Sequence, residues 1–166
     1  KVRSFREYRL NDSLTIKISK FKSVPSREVA SIVSLDSRKT LYYFETYINS
    51  KDSFHVTQIN GFEGLLEEYT AYFQGLKAYS LSYRFLRDKY KWSKTKIWIH
   101  YLLKYGDAIY STKQFSLLLS NYLQYCKVTR PEIFNRIVND KSIIELYTHV
   151  EQESESLIKI FMHNRN

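Results

Sequence analysis

Cysteine, glycine, proline and long apolar runs are all scarce in this chain of 166 residues. Cys126 is the single cysteine, so no disulfide can form within the chain, and a reducing compartment is implied. Only 4 glycines and 2 prolines occur, which argues against a loop-rich all-β fold and for long helices. No apolar run reaches the ~18 residues that a bilayer-spanning helix requires, and no signal-peptide pattern is present. The expectation is an intracellular protein, cytoplasmic or nuclear, without a membrane partner. The chain opens on Lys1 rather than Met, which points to a longer parent protein.

Recognisable catalytic chemistry is missing too. His55, His100, His149 and His163 are scattered and share no metal-ligand spacing with Cys126. None of the patterns for phosphate-binding loops, dinucleotide turns, zinc proteases or hydrolase elbows occurs. Asp36 and Glu45 fall on neighbouring segments, but no lysine follows Glu45 at the spacing of a magnesium nuclease. We therefore expect no enzyme, no cofactor and no metal.

Apolar residues make up 43% of the chain, ample for a buried core, and Tyr alone contributes 15 residues. The net charge is +9 and the isoelectric point about 9.5. Such a balance favours an anionic partner, either nucleic acid or an acidic membrane face. An AT-rich coding sequence enriches Lys, Asn, Ile and Tyr in the same way with no functional demand.

Taken in order, Leu14, Ile16 and Ile18 alternate with Thr15, Lys17 and Ser19, the pattern of a half-buried strand with a cationic outer edge. Lysines there serve either edge protection or binding. Ser23 to Ser26 reads as a turn, and Val29 to Leu35 as a second apolar run. The aromatic and β-branched density of Leu41 to Ile48 predicts a third strand, and Phe54 to Ile59 a fourth, joined as a hairpin through 49–53. After Asn60-Gly61 the period becomes helical, from Phe62 to about Tyr90. Gly75 within that helix costs about 1 kcal/mol relative to Ala and is read as a mark of close packing. The expected fold is α+β: antiparallel strands over about 8–60, then a helical bundle over about 62–164. The strand-rich lobe 1–60 and the helical lobe 61–166 form one integrated unit, since no Gly- or Pro-rich linker divides them.

The densest cationic segment holds Arg84, Arg87, Lys89, Lys91, Lys94 and Lys96 against Asp88 alone, with Tyr83, Phe85, Tyr90 and Trp92 interleaved. Cations for phosphates and rings for stacking are what a nucleic-acid surface requires. The alternative is a helix end whose bases suit its dipole and whose rings are core. Ser93 caps a helix from Thr95 to Tyr105 with Gly106 as its stop, and Ser111 with Gln114 reads as a capping box opening the next. After a break at Lys127-Val128-Thr129, Thr129 is the expected N-cap of a further helix with Pro131 in its first turn. These segments would form a tri-helical unit.

Residues 111–140, with Val128-Thr129 at the turn and Ile133 and Ile137 at buried positions, resemble a helix-turn-helix DNA-binding motif. Lys127 stands where that turn has Gly, and Leu123 where a small residue lets the helices approach. The resemblance implies that Arg130, Asn135 and Arg136 face the major groove, where Arg suits guanine and Asn adenine. Lys113 and the segment ending at Lys96 would contact phosphates. Finally, positions 143, 147, 150, 154, 157 and 161 form a stripe that either packs on the body or makes a homodimer through 141–164. The leading expectation is a DNA-binding or transcription-regulatory module reading duplex DNA. The alternative is a non-enzymatic interaction or scaffold domain of a larger assembly. A continuous positive stripe from Arg84–Lys96 to Arg130–Arg136 favours the first, and scattered cations favour the second.

Overall fold

The computed structural model describes residues 4–90 and 94–163. It is an α+β fold in which two antiparallel strands precede a bundle of long helices. Strands β1 (Phe5–Arg9) and β2 (Thr15–Ser19) pair with Tyr8 opposite Ile16 and Glu7 opposite Lys17. The alternation works as expected: Ile16 and Ile18 are buried, while Thr15, Lys17 and Ser19 face outward. Lys17 meets Glu7 at 3.3 Å across the ladder, as edge protection requires. The ribbon is pinned through Arg6, whose Nε lies 2.8 Å from Glu63 and which also pairs with Glu67. Glu63 is buried, and its other oxygen accepts the Phe21 backbone N–H at 2.9 Å. Removing one partner of so enclosed a pair is costly, because the remaining charge has no water to turn to.

The expected strands at Leu41–Ile48 and Phe54–Ile59 are absent, and with them the hairpin. Residues Ser26–Ile32 form a 3-10 helix, Leu35–Thr40 a short helix α1, Phe44–Ile48 a wide π-type turn, and Val56–Asn60 a short helix α2. The reason lies in which residues go inside. Leu41, Phe44 and Ile48 are buried at three- and four-residue spacing, which is a helical period. In the next segment Phe54 is 84% exposed while Thr57 and Gln58 are buried, the reverse of a half-buried strand. Gln58 donates to Ser26 at 2.7 Å and to the Ile48 carbonyl at 3.2 Å, and Thr57 donates to the Tyr47 carbonyl at 2.6 Å. Buried polar side chains thus satisfy the backbone that a sheet would have paired.

The change of period at Asn60-Gly61 is a real boundary. Gly61 closes α2 with φ of 51°, and a Cβ there would run into the Val24 carbonyl oxygen, so only glycine fits. From it rises α3 (Phe62–Tyr90), followed by α4 (Thr95–Thr129), α5 (Pro131–Val138) and α6 (Lys141–His163). Ring pairs Phe62–Tyr122, Tyr72–Phe115, Tyr79–Tyr105 and Tyr83–Trp98 show α3 and α4 running antiparallel along their length. Tyr69–Tyr147, Lys77–Glu153 and Tyr83–Phe161 lay α6 alongside, parallel to α3. The body is therefore a bundle of α3, α4 and α6, not the smaller tri-helical unit expected after Thr95.

Helix α4 passes through both of its expected ends. Gly106 does not stop it, and Ser111 and Gln114 lie buried in its interior rather than capping a new start. They fasten the preceding segment instead: Gln114 accepts the Tyr42 N–H at 3.0 Å, and Ser111 meets the Tyr43 hydroxyl at 2.8 Å. The expected cap Ser93 lies outside the described residues. Gly75 does not mark close packing, because no atom lies within 4 Å of a Cβ built there; it borders open space. The stripe Ile143, Tyr147, Val150, Ser154, Leu157 and Phe161 packs onto the bundle, the first of the two arrangements expected for it. No helix among the described residues is long and apolar enough to cross a membrane.

Much of this core is tyrosine. Burial pushes the phenols of Tyr8, Tyr69, Tyr101 and Tyr122 above their ordinary value, and the Cys126 thiol up to about 11. A raised folded value means the fold holds the proton more tightly than the unfolded chain, so the stabilisation is complete below the unfolded value and is lost above it. Urea-unfolding free energy should be level from pH 7 to about 8 and begin to fall near pH ~8.5, where the thiol of the unfolded chain starts to ionise while Cys126 in the fold keeps its proton. It should then fall further above pH ~10, by about 1.4 kcal/mol per pH unit for each phenol still protonated in the fold. Denaturation series across that range measure this directly.

Candidate nucleic-acid interface

The proposed contact residues fall into three groups that the fold keeps apart. The first lies where α3 ends and α4 begins, an end closed by the Lys94 N–H donating to the Tyr90 carbonyl at 3.1 Å. Arg84, Lys89, Lys94 and Lys96 are exposed there, and Arg87 is half-buried and paired with Asp88 at 2.8 Å. Lys91 and Trp92 lie outside the described residues. The Lys89 ammonium stands 5.3 Å from the rings of both Phe85 and Tyr90, and Lys94 stands 5.7 Å from Tyr90. Arg84, Lys94 and Lys96 pair with no carboxylate among the described residues.

The interleaved rings divide in two. Tyr83 is buried against Trp98 at 5.5 Å and belongs to the core, whereas Phe85 is 63% exposed. Leu81, one turn before it, is 81% exposed and shares its face. Leu81 was absent from the sequence-derived set, although its four-residue spacing from Phe85 was readable. An outward face carrying Leu81, Arg84, Phe85 and Lys89 combines apolar contact area with cations, as a surface that meets both bases and phosphates must.

The second group is Lys113 alone. It is exposed on α4, but it lines a cleft of about 270 Å³ with Glu151 and Glu155 of α6. Two carboxylates beside it repel a phosphate, so the site suits its assigned role poorly.

The third group is α5. The expected break at 127–129 is absent: Thr129 ends α4, with its hydroxyl donating to the Tyr125 carbonyl at 2.8 Å. Arg130 is the whole junction and caps α5 without a side-chain bond. The cause is Pro131, which has no N–H to continue α4 and forces the residue before it out of the helical region, here to φ −142° and ψ 62°. A single-residue junction replaces the turn of a helix-turn-helix. Asn135 and Arg136 do face outward, and Ile137 is buried with Ile133 partly so. Both arginines are held locally: Arg130 lies 3.4 Å from Glu28, and Arg136 lies 3.1 Å from Asp140 and over the Phe21 ring. Helix α4 spans roughly 50 Å at 1.5 Å per residue, so the first and third groups sit at opposite ends of the bundle.

Among the described residues no cluster of three His, Cys, Asp or Glu is placed to hold a metal ion. Compared with known proteins, the chain matches no family, no curated protein and no solved structure.

The α5 geometry makes a separable expectation. Ile137→Ala should destabilise the fold by ~2–5 kcal/mol through the cavity it opens. Asn135→Ala or Arg136→Ala should change stability by no more than ~1 kcal/mol, since exposed ion pairs contribute little. Urea denaturation of the three variants distinguishes an anchored helix from one that merely lies on the surface.

Proposed function

We propose that the protein binds nucleic acid, in the first instance duplex DNA, through phosphate contacts at the end of the α3–α4 hairpin. The observation that carries this is the concentration of charge. Residues 84–96 hold six Lys or Arg against one Asp, which is five of the nine net positive charges. Of these, Arg84, Lys89, Lys94 and Lys96 are exposed at one end of the bundle, beside the exposed Phe85 and Leu81. Cations gathered at a tip displace condensed counterions on contact with a polyanion, the main source of sequence-independent affinity. In this reading α5 fastens the fold and is not the primary contact, because its arginines are tied to Glu28 and Asp140.

The test is binding to random duplex DNA across a salt series. Replacing Arg84, Lys94 and Lys96 with Ala should weaken binding to all duplexes alike. The salt slope should fall by up to about 2.7, at ~0.9 per lost phosphate contact. Asn135→Ala should leave affinity and slope unchanged. A loss of sequence preference in that variant would instead return base reading to α5, and absence of binding at low salt would remove nucleic acid altogether.

A second reading, an interaction domain, has its own observation. Ile99, Leu103, Tyr110 and Leu117 are all about half exposed or more and share one face of α4, an apolar stripe left largely open among the described residues. If it is an interface, Leu103→Glu should abolish a concentration-dependent rise in mass by light scattering. A wild-type mass that stays constant over the same range rules out self-association through it.

A further inference from the structure

Where the two hydrophobic clusters of the bundle meet, an open cleft of about 720 Å³ lies on the surface. Small residues bound it: Gly75 on α3 and Ala108 on α4 beside the seam, with the exposed Ala71 at its edge. Gly75 has nothing within 4 Å of a Cβ position, so the space is open and not a site of tight packing. A volume of this size falls in the range of small-molecule sites, roughly 300–1,000 Å³.

The walls are aromatic and fixed. Tyr43 and Tyr72 form the upper wall, held by Phe115 at 5.3 and 4.7 Å and by the Tyr43 hydroxyl meeting Ser111 at 2.8 Å. Tyr79 forms the lower wall, its ring stacked 6.1 Å from Tyr105 and its carbonyl accepting the Tyr101 hydroxyl. Tyr42 and Tyr110 flank the mouth, edge to face at 6.4 Å. Burial holds the Tyr43 and Tyr72 phenols above their ordinary value, with Asp107 adding to the first and Glu68 to the second. The walls therefore stay neutral at physiological pH.

The charged lining runs against the rest of the protein. In a chain of net charge +9, this cleft presents Glu68 and Asp107 against Lys104 alone. Lys104 lies 3.4 Å from Asp107, while Glu68 is matched with no cation among the described residues. Electron-rich ring faces with a surplus carboxylate attract a positive charge clothed in carbon and repel an anion.

We propose that this cleft binds a small organic cation of the alkylammonium class, its carbon shell against the tyrosine rings and its charge toward Glu68 and Asp107. The site is independent of the phosphate-binding reading, which uses a ligand of opposite charge and the C-terminal end of α3, whereas this cleft is lined by its middle. The probe is benzyltrimethylammonium, with neopentylbenzene as its uncharged isostere and benzenesulfonate as an anion, titrated against the whole chain by calorimetry and tyrosine fluorescence. The ammonium should bind at least 10-fold more tightly than the isostere, and the sulfonate should not bind. Glu68→Gln should raise the ammonium Kd about 10-fold and leave the melting temperature unchanged. Gly75→Leu places a side chain in the open space and should abolish binding, with the folded state confirmed by circular dichroism. Equal affinity for ammonium and isostere, no binding of the ammonium, or unchanged binding in Glu68→Gln would overturn the proposal.

Discussion

Two helices of 29 and 35 residues lie side by side here because aromatic rings fill most of the seam between them. Phe62 meets Tyr122 at 5.7 Å near one end, Tyr72 meets Phe115 at 4.7 Å midway, and Tyr83 meets Trp98 at 5.5 Å near the other. Everything else is fitted to that seam. The β-ribbon is held to α3 by Arg6 and Glu63, and the 21–60 segment is held to α4 by Tyr122 donating to the Val24 carbonyl at 2.7 Å. Helix α6 closes the third side, with Tyr69 donating to Glu151 at 2.6 Å.

Charge follows from the same packing. Several carboxylates are drawn into internal contacts: Glu63 and Glu67 on Arg6, Glu28 on Arg130 and Tyr125, Glu153 on Lys77. These acids hold the fold, so they do not offset the cations where α3 and α4 meet. Five of the nine net positive charges fall within residues 84–96. In the reading proposed above, this end of the helix pair would be where a polyanion first makes contact, since steering acts through the nearest charges within about 10 Å at moderate salt.

How far the fold was legible depended on whether the deciding information was local. The Ile16–Ile18 alternation and the stripe from Phe62 to Tyr90 each lie within one element, and both are found as read. Gly61 announced a backbone requirement through its own missing side chain. The segment from Leu41 to Ile59 misled because aromatic and β-branched residues favour strands only when a neighbouring strand receives them, and none does. Its true signal was the spacing of Leu41, Phe44 and Ile48 together with the buried Thr57 and Gln58, which have meaning only once Ser26 and Tyr47 are beside them. Ser111 and Gln114 failed likewise: residues that cap a helix start also serve, inside a long helix, to hold a loop.

The same distinction separates the two candidate sites. The cationic end is legible because the end of α3 and the start of α4 are close in sequence, so Arg84, Lys89, Lys94 and Lys96 fall at one end of the bundle. The α5 set looked equally coherent in sequence, but whether it joins the first depends on the length of α4, and reading Gly106 as a stop hid that length. The tyrosine-lined cleft had no sequence signature at all. Its walls come from Tyr43, Tyr72 and Tyr79 and its charge from Glu68 and Asp107, with the small Gly75 and Ala108 beside the seam. A set of residues spread across two helices and a loop has no period to detect. It becomes visible only when the helices and the loop are packed together.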